Sequence, residues 1–439
     1  MKTYVQVGLG GRHRMFRQAL TGRHFEWARL KAVCDSNPGR LAIAKSQAEE
    51  EGGVPVAAYE AADFERMLAD IKPDCVIVTT PDWTHDDYIV RALEAGCDVL
   101  TEKPLTIDAA RLQRIIDTQR KTGGVVTVTF NYRFTPPRTQ LKELLEAGTI
   151  GEVTGITFDW NLDRRHGADY FRRWHREKKK SGGLEVHKST HHFDLVNWWL
   201  GSVPETVYAT GGRRFYKPDT AERMGLSGRA PRCRDCRVNN CGFRLDMNEI
   251  ENLKRLYLDC EEHDGYFRDR CVFAADIDIE DTYRVQAQYR NGAVLNYTLV
   301  AFAAWEGYAI TFYGTEGTLT HSYVENSTIN GANLAVRRAE QVKTTLSRFG
   351  EELQAIEVWK GKGEHGGGDP LMLDMLFDPA SAAEDRWRRL ADFRAGGWSI
   401  LTGIAANRSL IEKAPVTVAD LVNGLEVPPD LQPAAGGKP

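Results

Sequence analysis

The chain has 439 residues, 27% of them charged, and a formal net charge of −4. That length suggests roughly two to three domains, each large enough to bury a core without staples. The mixed charge offers no basic field for nucleic acid, and no run approaches the apolar length of a membrane span. From the start to about residue 128, short apolar runs alternate with helix-like stretches: Tyr4 to Val7, Leu30 to Cys34, Val54 to Ala57, Cys75 to Thr79, Asp98 to Leu100 and Val125 to Phe130. This alternation predicts a parallel sheet with helices on both faces. From about 152 longer alternating strands take over, at Glu152 to Asn161, Thr206 to Gly211, Tyr283 to Tyr289, Ala293 to Val300, Tyr308 to Tyr313 and Thr318 to Ser322. Turns at Asn291-Gly292 and Thr315-Glu316-Gly317 suit a mainly antiparallel sheet. The expected organisation is therefore α/β over 1–128, then an α+β domain with a large open sheet over 129–427. An insertion spans Arg213 to Ile279. Helices are expected over Asp369 to Phe377, Ser381 to Phe393 and Trp398 to Lys413, and a disordered Pro/Gly-rich tail over 428–439. The N-terminus enters a strand pattern without a signal-peptide core, so a cytoplasmic setting is expected.

Gly8-Leu9-Gly10-Gly11-Arg12-His13 lies between the first strand and a helix pattern, as a dinucleotide-binding turn requires. His13 stands where the usual third glycine would be. Asp35 ends the second strand, placed to bind a ribose 2′-hydroxyl and repel a 2′-phosphate, so NAD is favoured over NADP. Arg40 leaves NADP open, since it would meet a phosphate if Asp35 turned away. Thr79-Thr80-Pro81-Asp82-Trp83-Thr84-His85 and Glu102-Lys103-Pro104 stand at later strand ends, where ligands of open α/β sheets lie. Both segments are expected to line the cofactor crevice, and Lys103 to polarise a substrate oxygen.

Three of the eleven histidines fall within six residues, His187, His191 and His192, after Gly182-Gly183 and before an apolar helical stretch. On one helix, 187, 191 and 194 share a face, with 188 and 192 on its flank. Histidine is suited to proton transfer at neutral pH, so this face is a candidate acid/base site. Tyr170, Arg173 and Trp174 precede it and suit a pocket that stacks on sugar faces and binds hydroxyls. His365, in a glycine run at a helix start, is either a returning pocket loop or a flexible cap. In the insertion, Cys233-x2-Cys236-x4-Cys241 has metal-ligand spacing, with Cys271, Cys260 or His263 as a fourth ligand. A structural zinc is the first expectation; an iron–sulfur cluster and unliganded thiols are the alternatives.

The glycine turn, Thr-Pro-Asp-x-Thr-His and Glu-Lys-Pro together resemble the Gfo/Idh/MocA family of NAD(P)-dependent oxidoreductases. The resemblance implies a Rossmann domain holding a nicotinamide against the second sheet, with sugars, polyols or their derivatives bound between, and homodimers or homotetramers. It casts Lys103 and His191 as catalytic. His187 occupies the position of a family aspartate. Cofactor contacts are expected from Gly8, Gly10, Gly11, Arg12, His13, Asp35, Arg40, Thr80, Pro81, His85, Glu102, Lys103 and Asn131. Substrate contacts are expected from Tyr170, Arg173, Trp174, Lys188, His192 and Asp194. Two enzymatic readings stand at this stage: oxidation of a sugar hydroxyl, and glycoside cleavage through a transient 3-keto sugar. A non-catalytic NAD-binding sensor is the third.

Overall fold

The computed structural model describes residues 1–325, 341–361, 364–383 and 385–431, without the side chains of 364, 365 and 430. His365 and the tail beyond 431 therefore lie outside the described side chains. The strands of the first half are β1 (Lys2–Val7), β2 (Ala28–Asp35), β3 (Ala57–Glu60), β4 (Cys75–Val78), β5 (Asp98–Thr101) and β6 (Val126–Val128). They pair in parallel in the order β6-β5-β4-β1-β2-β3. All four residues of β4 are buried, which is why an unbroken apolar run rather than an alternating one encodes it. The chain reverses direction across the sheet between β1 and β4, so their carboxyl ends open the crevice where such sheets bind nucleotides.

The second half supplies β7 (Val153–Asp163), β8 (Pro204–Gly212), β9 (Thr282–Tyr289), β10 (Val294–Ala303), β11 (Glu306–Gly314), β12 (Gly317–Glu325), β13 (Gln341–Arg348) and β14 (Gln354–Ile356), followed by the two-residue strands β15 (Ala391–Asp392) and β16 (Val416–Thr417). These form a nine-stranded sheet in the order β14-β13-β12-β11-β7-β10-β9-β8-β16, antiparallel except for the β10–β7 pair. The exception, β15, crosses back and adds antiparallel to β6 in the first sheet. The alternation seen in sequence becomes two faces. Phe158, Trp160, Tyr297 and Tyr308 point into the core, whereas Thr157, Asp159, Arg284 and Gln286 lie on the open face.

Helices Thr190–Leu200 and Phe393–Glu412 cover the inner face. The latter starts ahead of the expected Trp398 because the Asp392 carboxylate accepts from the Arg394 and Ala395 amides at 2.9 and 3.0 Å, a strong cap. The helix expected over Ser381 to Phe393 does not form. A short helix, Pro379–Ala382, is followed by a loop in which Asp385 takes the Arg389 and Leu390 amides, an alternative to helical bonding. The expected disorder after residue 427 is also corrected in part, since Pro429–Leu431 forms a turn that buries Leu431. Among the described residues no helix is long and apolar enough to cross a membrane.

Candidate active site

A cleft of about 1350 Å³ runs from the glycine turn to the histidine-bearing helices. At its nucleotide end Gly8 adopts φ +88°, and a side chain there would place Cβ 2.5 Å from the Thr80 amide nitrogen. Only glycine lets the turn sit this close to the end of β4. Asp35 accepts from the Leu9 and Asn37 amides at 2.6 and 2.7 Å, which fixes the carboxylate at the rim. His13 is corrected: its ring turns inward, Nδ1 to the Gly10 carbonyl at 2.6 Å and Nε2 to Arg17 at 2.9 Å, and it does not line the cleft. Burial lowers its pKa to about 4, so the neutral ring donates to one partner and accepts from the other.

Gly10, Gly11, Thr80, Pro81, Glu102 and Asn131 line the cleft. Arg12 donates to Glu102 at 2.7 Å and to Asp369 at 3.2 Å, and Asn131 donates to the same Asp369 at 2.6 Å. Asp369 opens the helix Gly368–Phe377 and was not singled out from sequence as a site residue. His85 also lines the cleft, but its ring nitrogens face the Pro104 and Thr80 carbonyls at 2.8 and 2.9 Å, so it braces two loops.

The reactive end is built on Lys103, just past β5. Its Nζ donates to the His187 carbonyl at 3.1 Å and lies 3.4 Å from His187 Nε2. The other ring nitrogen of His187 meets the Asp82 carboxylate at 2.5 Å. A carboxylate is thus present after all: it arrives from the Thr-Pro-Asp turn, and His187 relays it to Lys103. Burial raises the Asp82 carboxyl well above the usual carboxylate range and lowers the His187 imidazole well below 6.5. Burial, opposed by Asp82 and Glu102, lowers the Lys103 pKa to about 8.

The predicted single helix is broken: Leu184–His187 and Thr190–Leu200 are separate, with Lys188 and Ser189 between. His191 still lines the cleft, stacked on Tyr132 at 4.1 Å and edge-on to Phe130. Burial and then the Lys103 charge push its pKa well below 6.5, so it stands as a neutral base. Lys188 reaches the cleft and donates to the Tyr132 hydroxyl at 3.0 Å.

His192 and Asp194 are corrected. His192 is fully buried behind the cleft, stacked on Trp160 at 3.9 Å and bonded to the Tyr297 hydroxyl at 2.6 Å. Asp194 makes a two-pronged pair with Arg133 at 2.7 and 2.8 Å, both side chains enclosed. Both lie with His191 on the continuous helix Thr190–Leu200, which is buried from Thr190 to Trp199, and their side chains face the core and not Lys103.

Tyr170, Arg173 and Trp174 do line the cleft. Trp174 stacks on His175 at 3.6 Å and meets Trp83 edge-on. Tyr170 takes part in a chain that sequence did not reveal, with its hydroxyl 3.2 Å from His166 Nε2 and His166 Nδ1 2.9 Å from Glu306. Nothing in the strand pattern around Glu306 marked it as a site residue.

The four cysteines expected to hold zinc are corrected as well. Cys233 packs beside Leu245, Met247 and Leu253, while Cys241 and Cys271 pack against the main core. Among the described residues no group of three or more histidine, cysteine or acidic side chains converges on a metal position. Ion pairs brace the insertion instead, Arg232 to Glu261 at 2.6 Å and to Asp269 at 2.8 Å.

A parallel nucleotide-binding sheet facing an open mixed sheet, with a lysine and histidines between them, defines a two-domain oxidoreductase. Residues 2–130 match the NAD-binding Rossmann fold of the Gfo/Idh/MocA oxidoreductase family and residues 142–418 its C-terminal alpha/beta domain. The chain belongs to this family. It is 38% identical over 434 residues to YteT of Bacillus subtilis, covering 96% of this chain and 99% of that protein. It is 32% identical over 199 residues to the D-glucoside 3-dehydrogenase of Escherichia coli, covering 45% of this chain and 54% of the other. Its fold resembles that of the aldose-aldose oxidoreductase of Caulobacter crescentus with a TM-score of 0.62 at 17% identity, over 95% of this chain and 99% of that one.

Proposed function

We propose that the protein is an NAD-dependent dehydrogenase that oxidises a hydroxyl of a sugar, glycoside or polyol derivative, or reduces the corresponding ketone. The observation that carries this reading is the convergence of Lys103, the His187–Asp82 pair and His191 in the cleft that begins at the glycine turn. The similarity to a D-glucoside 3-dehydrogenase points to the same substrate class.

The Gly8 cradle and Asp35 fit a dinucleotide, with Gly10, Gly11, Thr80 and Asn131 lining the remainder of its site. When bound, the nicotinamide supplies the hydride acceptor. Lys103, as the ammonium, holds the reacting oxygen, and neutral His191 takes its proton. His187 fixes the lysine through its carbonyl and ring, and Asp82 fixes His187. Trp174 and Tyr170 provide faces for a sugar ring. A screen of pyranosides and inositols on purified protein, following reduced cofactor together with ketone product, tests the assignment.

The protonation states set an expected pH profile. Activity that depends on the Lys103 ammonium is present below its pKa of about 8 and falls above it. With the His191 pKa already well below 6.5, no acidic limb falls near the ordinary histidine value. The kcat/KM profile for oxidation should therefore stay level through neutral pH and decline near pH 8. A rising limb there would make uncharged Lys103 the base.

The Glu306–His166–Tyr170 chain favours a second reading. Hydroxyl oxidation needs one proton acceptor, whereas redox-assisted glycoside cleavage needs another to remove the C2 proton next to the transient ketone. Burial raises the Tyr170 phenol to about 12, so in this reading Tyr170 serves as a relay that passes its own proton to His166 Nε2 as it takes the one from C2. Aglycone release without net reduced cofactor would select this reading, and accumulation of reduced cofactor with keto sugar the first.

A further inference from the structure

The cysteine-rich insertion reaches the cofactor end of the cleft. Tyr257, Asp264, Tyr266 and Phe267 all line it, and the Gly11 amide donates to the Tyr257 hydroxyl at 2.9 Å. Asn37, which caps the helix Pro38–Gly52, donates from Nδ2 to the Cys260 carbonyl at 2.9 Å and so ties the insertion to the corner where β2 ends.

At that corner Arg40 is the cation beside Asp35. Its guanidinium contacts Asp35 at 3.4 Å and Asp264 at 2.5 Å. The nearer partner therefore comes from the insertion and not from the nucleotide-binding sheet. The second oxygen of Asp264 accepts from the Tyr266 amide at 3.0 Å, which holds the carboxylate toward Arg40. Asp35 is committed to the Leu9 and Asn37 amides, so its own grip on Arg40 is the weaker of the two.

The geometry points to Asp264 as a specificity-determining residue that selects NAD over NADP by keeping Arg40 engaged. This rests on the NAD-dependent reading above and deepens it. A ribose 2′-hydroxyl needs only an acceptor, which Asp35 provides. A 2′-phosphate, with a charge of about −1.5 to −2, would meet two carboxylates and one guanidinium whose Nη2 is already directed at them. Removing the charge at 264 returns Arg40 to the rim as a phosphate partner, the fork geometry in which arginine binds anions best.

The test is calorimetric titration of NAD⁺ and NADP⁺ into the full chain, wild type and D264N, with melting temperatures alongside. D264N should shift the ratio of dissociation constants at least about tenfold toward NADP⁺, and adding R40A to D264N should abolish that shift. If D264N melts early, D264S serves in its place, since it also removes the charge. A folded variant whose ratio moves less than about threefold overturns the proposal, as does a shift that survives R40A or a wild type that prefers NADP⁺. A wild type that binds neither dinucleotide overturns the dehydrogenase reading itself, and the proposal with it.

Discussion

Replacing Lys103 with Met should lower kcat/KM by about three orders of magnitude, the scale of losing a positioned proton-transfer or oxyanion-stabilising group. Three observations argue for so large an effect. The ammonium is the cation that the His187 carbonyl and ring hold at the reactive end of the cleft. Burial lowers its pKa to about 8, so the charge acts where it is partly desolvated and one donor counts for more. Asp82 and His187 then have no other evident task than to hold it. Methionine keeps most of the volume and removes the charge, so melting temperature should change little. Lys103→Arg should not restore turnover, because a planar fork cannot replace a point charge seated between His187 and the substrate. Steady-state kinetics on the substrate found by screening would check both variants.

Asp194→Ala should cost about 3–5 kcal/mol of folding free energy, as expected when one partner of an enclosed ion pair is removed. The Arg133 side chain, 0% exposed, would lose the carboxylate that meets its Nε and Nη2. Urea unfolding followed by tryptophan fluorescence is a suitable readout, since Trp198 lies 5.7 Å from this guanidinium. NAD⁺ affinity of the folded fraction should persist because Asp194 does not line the cleft. Wild-type stability combined with lost turnover would return Asp194 to the substrate.

These two residues also mark what could be read from the chain alone. The glycine turn, Asp35 and Glu102-Lys103-Pro104 are legible because strand ends of a parallel sheet have local signatures, and each lies at such an end. His191 is legible as part of a dense histidine run. Asp82 and His187 are 105 residues apart and pair between the turn after β4 and the helix Leu184–His187, so nothing local announces that one supplies the carboxylate the other position lacks. His192 and Asp194 lie on a helix buried from Thr190 to Trp199, so periodicity does not show which of its sides faces the cleft. The cysteine spacing suggested a metal, but spacing fixes only sequence distance. Ion pairs among Arg232, Glu261 and Asp269 brace the insertion instead, and it spends Asp264 and Tyr257 on the nucleotide end of the cleft.

The central claim is that Lys103 and His191 promote hydride loss from a substrate carbon held in this cleft. Its most direct test is a single turnover with oxidised cofactor and a substrate carrying deuterium at the reacting carbon. Wild type should move one deuterium to the nicotinamide for each ketone formed, and Lys103→Met should show almost none within the same time. Transfer at equal rates in both proteins, or ketone without deuterium on the nicotinamide, would contradict the account.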